Sequence, residues 1–288
     1  MSTAVERFAD QSPRPHLRIG EILRAAQLLT DDDIRRVLAR QRARGQRFGE
    51  AAVELRLVTM EEVRRALSEQ VPVPAMAATS TLSPMLLAAL DPFGCYSEAL
   101  RSLRSELLLH WFGSKRHTLA ITSPSARGDH SVLAANLAIA FSQLGERTIL
   151  VDANLRTPRQ RELFGVTNDF GLVDILRESR TLDESIQPRS PLAHLSLLCA
   201  GIPPSNPQEL LSGTAFRALV EQLALTFDVV IFDTPPTLEC ADAKLVATRA
   251  GGVLIAAWRH RSALREMARS CEALSSPRCA VVGTVLHD

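Results

Sequence analysis

Several features that would place a protein outside the ordinary globular class are missing from this sequence. Its 288 residues include one tyrosine and two tryptophans. No apolar run approaches the roughly 20 residues that a membrane-spanning helix requires. The N-terminus, MSTAVERFADQSPRPHLR, lacks the apolar core of a secretory signal. We therefore expect a cytoplasmic protein that is not itself inserted in a membrane; if it works at a membrane, a partner brings it there.

Paired cysteines and an excess of charge of one sign are also lacking. The five cysteines lie far apart with no CxxC pair, so neither a zinc site nor a disulfide framework is predicted. Lys plus Arg number 33 against 32 Asp plus Glu, which gives no general attraction to nucleic acid. Hydrophobic residues make up 46% and charged residues 23%, as in ordinary soluble proteins. The composition predicts a globular protein with reduced thiols.

An internal duplication occupies the N-terminal quarter of the chain. Residues 18–41 (RIGEILRAAQLLTDDDIRRVLARQ) recur as residues 47–70 (RFGEAAVELRLVTMEEVRRALSEQ), an offset of 47 − 18 = 29 residues. In each copy a short apolar helix precedes a threonine, an acidic first turn and a second amphipathic helix. Each copy is therefore predicted to be a helical hairpin, and the apolar faces of the two copies are expected to pack together.

The duplicated pattern resembles the tandem N-terminal module found ahead of some type II secretion and pilus ATPases, where it can bind cyclic di-GMP. The resemblance implies ligand contacts at matched positions of the two copies: Arg18, Gly20, Leu29 and Gln41, then Arg47, Gly49, Val58 and Gln70. Gln27 and Arg56 stand where that family usually has a glycine between the helices. Loss of such a glycine costs about 1 kcal/mol if the backbone needs a positive φ. Packing alone is the alternative interpretation of these residues.

Prolines and small residues interrupt helical periodicity over residues 71–92 (VPVPAMAATSTLSPMLLAALDP), which is typical of a linker. The predicted organisation has four parts. Residues 1–17 are a disordered N-terminus, 18–70 are a small all-α module of two helical-hairpin repeats, 71–92 are a linker, and 93–288 are a larger domain.

From His117 onward, short apolar runs alternate with longer amphipathic stretches. TLAITS, SVLAANLAIAFSQLG and RTILVDA form a β-α-β pattern, and LSLLCA, DVVIFDTPP, GGVLIAAW and AVVGTVL supply four more strands. Helices are predicted between them, over residues 207–223 and 262–274 among others. The pattern predicts an α/β fold with a doubly wound, mainly parallel sheet. Ligands of such sheets lie at the carboxyl ends of strands, here residues 123–131, 152–158 and 233–236.

Two of these segments resemble motifs of the bacterial tyrosine autokinases of capsule and exopolysaccharide synthesis. VDANLRTP (151–158) is similar to that family's second phosphate-site motif, and DVVIFDTPP (228–236) is similar to its Walker B strand. The similarity extends to PRQRELFGVTNDFGLVDIL, to GIPPSNPQELL and to SEALRSLRSE. The last resembles the family's ExxRxxR oligomerisation motif, with Glu98, Arg101 and Arg104. The resemblance covers residues 91–288 and, with the N-terminal module, points to the subgroup associated with chain-length determinants.

The resemblance implies a P-loop NTPase-like fold with ATP or ADP and Mg²⁺ as cofactors. Phosphoryl transfer rests mainly on positioning and charge neutralisation, so acids at the strand ends have a clear use. Asp152 and Asp233 would be the catalytic acids, and together with Ser131 they would hold Mg²⁺. The nucleotide would be contacted by Arg127, Gly128, His130, Ser131 and Asn154. Strand-end aspartates that cap turns are the alternative interpretation.

The phosphate-binding loop departs from the family's pattern. SPSARGDHS (123–131) stands where the family has SxxPGEGKS, so Arg127 and Asp129 replace glycines and His130 replaces the lysine. A neutral His130 loses a charge-assisted contact worth about 1.5 to 3 kcal/mol. Asn154 also replaces an aspartate. We expect ATP affinity to be lower by about an order of magnitude or more, unless a protonated His130 or an inward Arg127 compensates.

The family's C-terminal tyrosine cluster has no counterpart in this sequence, which ends CAVVGTVLHD. We therefore expect no autophosphorylation of a C-terminal tail. The single tyrosine, Tyr96, is expected to pack at the start of the helix that carries Glu98.

Three functions stay open at this point. The first is an ATP-binding, kinase-like regulator of exopolysaccharide chain length, which forms a homo-oligomer and docks on a membrane-bound chain-length-determinant protein. The second is a non-catalytic pseudokinase adaptor that senses cyclic di-GMP. The third is a partitioning or division-site ATPase of the deviant P-loop class, against which the ExxRxxR helix and the NPQELL segment argue.

Overall fold

The computed structural model describes residues 23–24, 26–44, 48–59, 62–63, 82–113, 116–126, 128–188, 192 and 194–287. The chain divides into two compact units, residues 1–73 and 74–288. Among the described residues, no helix combines the length and the apolar character needed to cross a membrane.

In the small unit, equivalent capping boxes open the second helix of each repeat. Thr30 and Asp33 exchange hydrogen bonds at 3.0 and 3.2 Å. Thr59 and Glu62, each 29 residues further on, exchange the same two bonds at 2.7 and 3.3 Å. A capping box satisfies two N–H groups that a helix start leaves without partners. The small unit's described helices are α1 (Asp31–Arg44) and α2 (Phe48–Glu54).

The turns that precede these capping boxes are also equivalent. Gln27 has a φ of 59° and Arg56 a φ of 53°. Both are therefore in the left-handed conformation that glycine adopts most easily. The next N–H in each turn donates to the carbonyl oxygen five residues earlier, Leu28 to Leu23 at 2.9 Å and Leu57 to Ala52 at 3.1 Å. The backbone therefore has a positive φ at both positions where the resemblance expects a glycine, so the non-glycine residues there are expected to cost stability.

A small hydrophobic core joins the described parts of the repeats. Its buried members come from both copies: Leu23, Leu29, Val37, Ala51, Ala52, Val58 and Val63. An ion pair between Arg40 and Glu54 at 2.7 Å connects α1 to α2.

The large unit is built on a seven-stranded sheet in the order β3-β4-β2-β5-β1-β6-β7. All neighbouring strands are parallel except β3, which pairs antiparallel with β4 at the edge. The strands are β1 (Thr118–Thr122), β2 (Thr148–Asp152), β3 (Gln187–Pro188), β4 (Leu195–Leu198), β5 (Val229–Asp233), β6 (Gly252–Trp258) and β7 (Ala280–His287).

Helices cover both faces of this sheet, so its central strands are buried along their length. Successive β1 side chains alternate between two hydrophobic clusters, Leu119 and Ile121 in one and Ala120 in the other. The helices are α3 (Leu87–Leu90), α4 (Cys95–His110), α5 (His130–Ser142), α6 (Gln160–Leu163), α7 (Leu172–Leu176), α8 (Leu182–Ser185), α9 (Pro207–Ser212), α10 (Thr214–Thr226), α11 (Asp242–Ala250) and α12 (Leu264–Leu274).

The predicted α/β fold and its six principal strands are confirmed. One predicted helix, over residues 207–223, is instead two. Gly213 is extended, with φ −65° and ψ 165°, and separates α9 from α10. The two-residue strand β3 was not predicted.

Residues 82–92, inside the stretch interpreted as a linker, pack with the large unit. Leu86 and Ala88 are buried in its core. The side chain of Asn136 in α5 accepts from the Ala88 N–H at 2.8 Å and donates to the Met85 carbonyl oxygen at 2.9 Å.

Candidate nucleotide site

The three segments singled out in the sequence meet at one edge of the sheet. They follow β2, β5 and β1, which are neighbours in that order, so their carboxyl ends lie together. Asp152 and Asp233 are the last residues of β2 and β5 and are directly opposite each other in the strand register. Both side chains are completely buried. The sheet therefore places two carboxyl groups side by side, next to the loop that leads into α5.

Asp152 organises the turn that follows β2. Its Oδ1 accepts from the Asn154 N–H at 3.2 Å, and its Oδ2 accepts from the N–H groups of Arg159 and Gln160 at 3.0 and 2.9 Å. Burial first, and then the charge of Asp233, raises the pKa of Asp152 well above its ordinary value, while the three N–H groups act in the opposite direction. Asp152 thus fixes the backbone of the turn.

Asp233 differs from Asp152 in that, among the described residues, only one of its two oxygens has a hydrogen-bond donor. Oδ2 accepts from Gln160 Nε2 at 2.7 Å. Oδ1 is buried, accepts no hydrogen bond from the described part of the chain and lies 3.7 Å from His130 Nε2. Burial raises the pKa of Asp233, and the charge of His130 and the hydrogen bond from Gln160 oppose that shift. Asp233 therefore presents the open acidic oxygen of the site.

His130, in the place where the resemblance expects a lysine, is turned toward β5. Its Nε2 lies 2.6 Å from the Thr234 carbonyl oxygen, and its Nδ1 lies 3.0 Å from Ser123 Oγ. A carbonyl oxygen only accepts, so Nε2 carries a proton and donates to it. The ring is buried and both of its nitrogens are engaged by the protein. Ser131, the next residue, is buried beside it.

Two carboxylates accept hydrogen bonds from backbone N–H groups in the loop 123–131 and at the start of α5. Asp129 caps α5, because its Oδ1 accepts from the Val132 N–H at 3.3 Å, and its Oδ2 pairs with Arg159 at 3.2 Å. Glu239, which follows β5, accepts from the Ala126 N–H at 2.9 Å. Such N–H groups are the usual ligands of phosphate oxygens. Two acidic side chains therefore occupy N–H groups at the N-terminal end of α5, where a phosphate would otherwise bind.

Gly128 lies against the indole of Trp258. A Cβ at residue 128 would fall 2.1 Å from that ring, so only glycine fits without displacement. The imidazole of His287 stacks on the indole of Trp258, with the two rings nearly parallel and their centroids 5.3 Å apart. The last residues of β6 and β7 thus support the phosphate loop. Arg127 lies outside the described residues.

Two other residues of the VDANLRTP segment are held by local contacts. The Asn154 Oδ1 accepts from the Thr157 N–H at 3.1 Å, and Asn154 is buried. Arg156 makes a two-bond ion pair with the fully buried carboxylate of Asp242, at 2.8 and 3.2 Å. This pair attaches the segment to the start of α11.

The predicted oligomerisation residues lie on α4. Arg101 pairs with Glu98 at 2.5 Å and also donates to the Pro92 carbonyl oxygen at 2.5 Å. Arg104 donates to the Ala140 carbonyl oxygen of α5 at 2.6 Å, and burial lowers its pKa. Glu98 is the most exposed of the three, at 51% of its side chain.

The predicted cyclic di-GMP contacts are described only in part. Leu29 and Val58 are buried in the small core, and a Cβ at Gly49 would fall 2.6 Å from Val63. Arg18, Gly20, Arg47, Gln70 and the side chain of Gln41 lie outside the described residues.

Two residues at the site were not singled out from the sequence. Gln160 lies two positions after VDANLRTP and contacts both acids, and Glu239 lies three positions after the Asp-Thr-Pro-Pro sequence. Their proximity to the two motifs was a signal, but nothing in the sequence fixed the direction of their side chains.

The described residues fit a magnesium ion that arrives with phosphate. They contain no cluster of three or more His, Cys, Asp or Glu side chains suited to a metal. Mg²⁺ does not need one, because it is usually bound through one or two carboxylates plus phosphate oxygens and water. The unpaired Oδ1 of Asp233, beside Ser131, offers a ligand of this kind.

Comparison with known proteins gives consistent relatives. The tyrosine-protein kinase YwqD of Bacillus subtilis is 30% identical over 208 residues, which are 72% of this chain and 87% of that protein. The putative tyrosine-protein kinase CapB of Staphylococcus aureus is 28% identical over 72% of this chain and 90% of that protein. For the putative tyrosine-protein kinase EpsB of Ralstonia solanacearum the identity is 31%, but only 29% of that longer protein is covered. No family model matches the chain.

Solved structures of tyrosine kinases also superpose on this chain. The kinase domain of the Escherichia coli tyrosine kinase ETK superposes with a TM-score of 0.69 at 28% identity, over 72% of this chain and 81% of that one. The chimerical protein CapA2B2 gives 0.67 at 28% identity, over 77% and 97%. The septum site-determining protein MinD of Pyrococcus horikoshii, at 0.52 and 18% identity, shares the fold.

Proposed function

Because this chain belongs to the family of bacterial tyrosine-protein kinases, we propose that it is an ATP-binding, kinase-like regulator of exopolysaccharide polymerisation and export, with weakened catalysis. The observation that carries the proposal is the pairing of Asp152 with Asp233 at the carboxyl ends of adjacent strands, beside the loop that opens α5. This is where a doubly wound sheet binds its ligand. Docking on a membrane-bound chain-length-determinant protein, and thereby recruitment to the inner membrane, belongs to the same proposal.

The chain's residues would divide the work of phosphoryl transfer between them. Asp233 Oδ1 and the Ser131 hydroxyl would hold Mg²⁺, which when bound neutralises charge on the phosphates. Asp152 would keep the turn 153–160 closed and add negative charge beside the metal. Gly128 and Asn154 would line the phosphates, with Arg127 as a further contact. Tyr96 has a half-buried side chain near His287, at 6.2 Å between ring centroids, so it would pack within the unit and would not serve as the acceptor.

Weak nucleotide binding is the expected consequence of the contacts around the loop. The carboxylates of Glu239 and Asp129 already bond to N–H groups near the place of the phosphates. His130 donates to Thr234 and faces Asp233 instead of extending along the loop as a lysine does. A lost charge-assisted contact of about 1.5 to 3 kcal/mol corresponds to roughly a 10- to 150-fold loss of affinity.

Calorimetric titration with Mg·ATP tests this proposal. The native chain should bind with weak affinity, and Asp233→Ala should abolish binding. His130→Lys should strengthen binding about tenfold or more by restoring the cationic contact. Arg217→Ala, in an exposed pair on α10, serves as the matched surface control. Absence of binding by the native chain at millimolar Mg·ATP would refute the proposed nucleotide binding.

A second candidate function, a pseudokinase adaptor that senses cyclic di-GMP, is supported by one observation in the small unit. The two repeats share the same left-handed turn and the same capping box, so the duplication seen in the sequence extends to backbone geometry, as a tandem ligand-binding module would require. This candidate predicts cyclic di-GMP binding that is lost in Arg18→Ala and in Arg47→Ala. Titration of the native chain and both variants with cyclic di-GMP decides it, and no heat from the native chain would exclude it.

A further inference from the structure

Gln160 contacts both residues to which the proposed function assigns magnesium, Asp233 and Ser131, and also contacts Asp152 beside them. We propose that Gln160 is a positioning residue that orients Asp233 so that one carboxylate oxygen stays open for the divalent cation. This inference rests on the proposed function, because it presupposes that a metal–nucleotide complex binds at Asp233.

The contacts of Gln160 are fixed by its complete burial. Its backbone N–H donates to Asp152 Oδ2 at 2.9 Å. Its side-chain Nε2 donates to the Ser131 carbonyl oxygen at 3.0 Å and to Asp233 Oδ2 at 2.7 Å. Both of those partners are acceptors, so the amide nitrogen, and not the amide oxygen, must face them. The orientation of the amide is therefore determined by chemistry.

This orientation divides the two oxygens of Asp233. The amide N–H of Gln160 occupies Oδ2, so this oxygen is already engaged by a donor and is less available to a cation. The other oxygen, Oδ1, is buried and accepts no hydrogen bond within the described ranges. A buried polar atom without a partner is costly, and such atoms in native structures call for an explanation such as an ion or a water. A cation at Oδ1 would supply the missing interaction.

The position of Gln160 depends in turn on Asp152. The carboxylate of Asp152 accepts from the N–H groups of Arg159 and Gln160, which folds the turn back over the strand ends and places α6. The Gln160 amide then reaches across to Asp233, 73 residues further along the chain. One carboxylate thus sets the backbone that holds the other carboxylate in place. Removal of the Gln160 amide should free Asp233 to rotate without disturbing the hydrogen bonds to Asp152.

The test is Mn²⁺ binding in the presence of ADP, measured by electron paramagnetic resonance on the full chain. Gln160→Met keeps the length of the side chain but removes the donor. We expect the Mn²⁺ dissociation constant to rise roughly 10- to 100-fold, as for other residues that orient metal ligands. The matched control is Gln143→Met, because Gln143 also donates its amide to a carbonyl oxygen, that of Ala88 at 2.7 Å, on the α3 side of the unit.

A purely structural role for Gln160 would instead lower stability without a specific effect on the metal. The thermal midpoint in EDTA is therefore measured for every variant. If Gln160→Met does not fold, Gln160→Asn is used, because its shorter side chain retracts the amide but stays polar. An unchanged Mn²⁺ dissociation constant in the folded variant overturns the inference and leaves the proposed function intact. Failure of the native chain to bind Mn²⁺ with ADP overturns both.

Discussion

The environment of individual ionisable side chains sets measurable properties of this protein. Tyr96 is the one tyrosine in the sequence, and burial raises its pKa to about 12. A raised pKa in the folded state means that the tyrosine favours folding at lower pH, and that this contribution is lost as the pH rises from about 10 through about 12.

The phenolate absorbance of Tyr96 tests this shift directly. We expect a folded-state midpoint near pH 12, because the charged phenolate is poorly solvated at the start of α4. The same chain in guanidinium should titrate near pH 10. Equal midpoints in the two conditions would show that Tyr96 is solvated in the folded protein.

Asp228 is shifted in the opposite direction by Arg147. The side chain and N–H of Arg147 donate to its carboxylate at 2.7 to 3.0 Å, and these bonds lower the pKa of Asp228. A lowered pKa stabilises the fold above about pH 4, and the benefit disappears as the pH falls through the folded-state pKa.

Replacement of Asp228 by asparagine should therefore reduce stability in a pH-dependent way. At pH 7 we expect Asp228→Asn to lose about 0.5 to 1 kcal/mol of unfolding free energy, since the pair is partly exposed and screened. The difference from the native chain should shrink below about pH 4. Urea unfolding across this range is the measurement, with Glu221→Gln, from the exposed pair with Arg217, as the control. A loss that is constant with pH would contradict the ion-pair explanation.

Among the elements, the helix-joining turns of the small unit adopt a conformation that their side chains disfavour. Gln27→Gly and Arg56→Gly should each raise its stability by about 0.5 to 1 kcal/mol, because φ is positive at both positions. Arg36→Gly, on the exposed side of α1, is the control and should lower stability by about 1 kcal/mol. Urea unfolding followed by helical circular dichroism gives the sign of each change. A loss of stability in Gln27→Gly would show that the left-handed turn is not present in solution.

The elements also show how far sequence predicts structure. β1, β2, β4 and β5 are short apolar runs between turn residues and are buried on both faces, so each is evident without knowledge of its neighbours. The break at Gly213 was missed because apolar periodicity continues across it. Strand β3 was missed because two residues that include Pro188 carry no strand pattern, and only its pairing with β4 defines it.

In the candidate site, likewise, some residues could be predicted from the sequence and others could not. Asp152 and Asp233 were predicted because each ends a recognisable strand, and parallel order then brings them together. The contacts of Gln160 with Asp233 and of Glu239 with Ala126 span 73 and 113 residues. Side-chain direction across such separations depends on packing of the whole sheet, which periodicity and motif spacing do not specify.

At the scale of the whole molecule, the residues of the ExxRxxR motif have different surroundings. Arg104 is held within the chain by the Ala140 carbonyl oxygen, whereas Glu98 is half exposed on α4. If the motif mediates self-association, Glu98→Ala should lower the sedimentation coefficient of the oligomer with little change in stability.

Arg104→Ala should instead lower the unfolding free energy by about 1.5 to 3 kcal/mol, because it removes a charged hydrogen bond between α4 and α5. Sedimentation velocity and urea unfolding of both variants separate the two roles. A native chain that sediments as a monomer would refute homo-oligomerisation, and an unchanged stability of Arg104→Ala would refute the structural role.

The contact between Trp258 and Gly128 supplies the phosphate loop with an intrinsic fluorophore. Trp111 is the other tryptophan. It is buried, and its Nε1 donates to the carbonyl oxygen of Thr118, at the opposite end of β1 from the loop. In a Trp111→Phe background, the emission of Trp258 would report solely from the indole that lies on Gly128. Any ligand that displaces the loop must change the polarity around that indole, so occupancy can be followed in real time without a label.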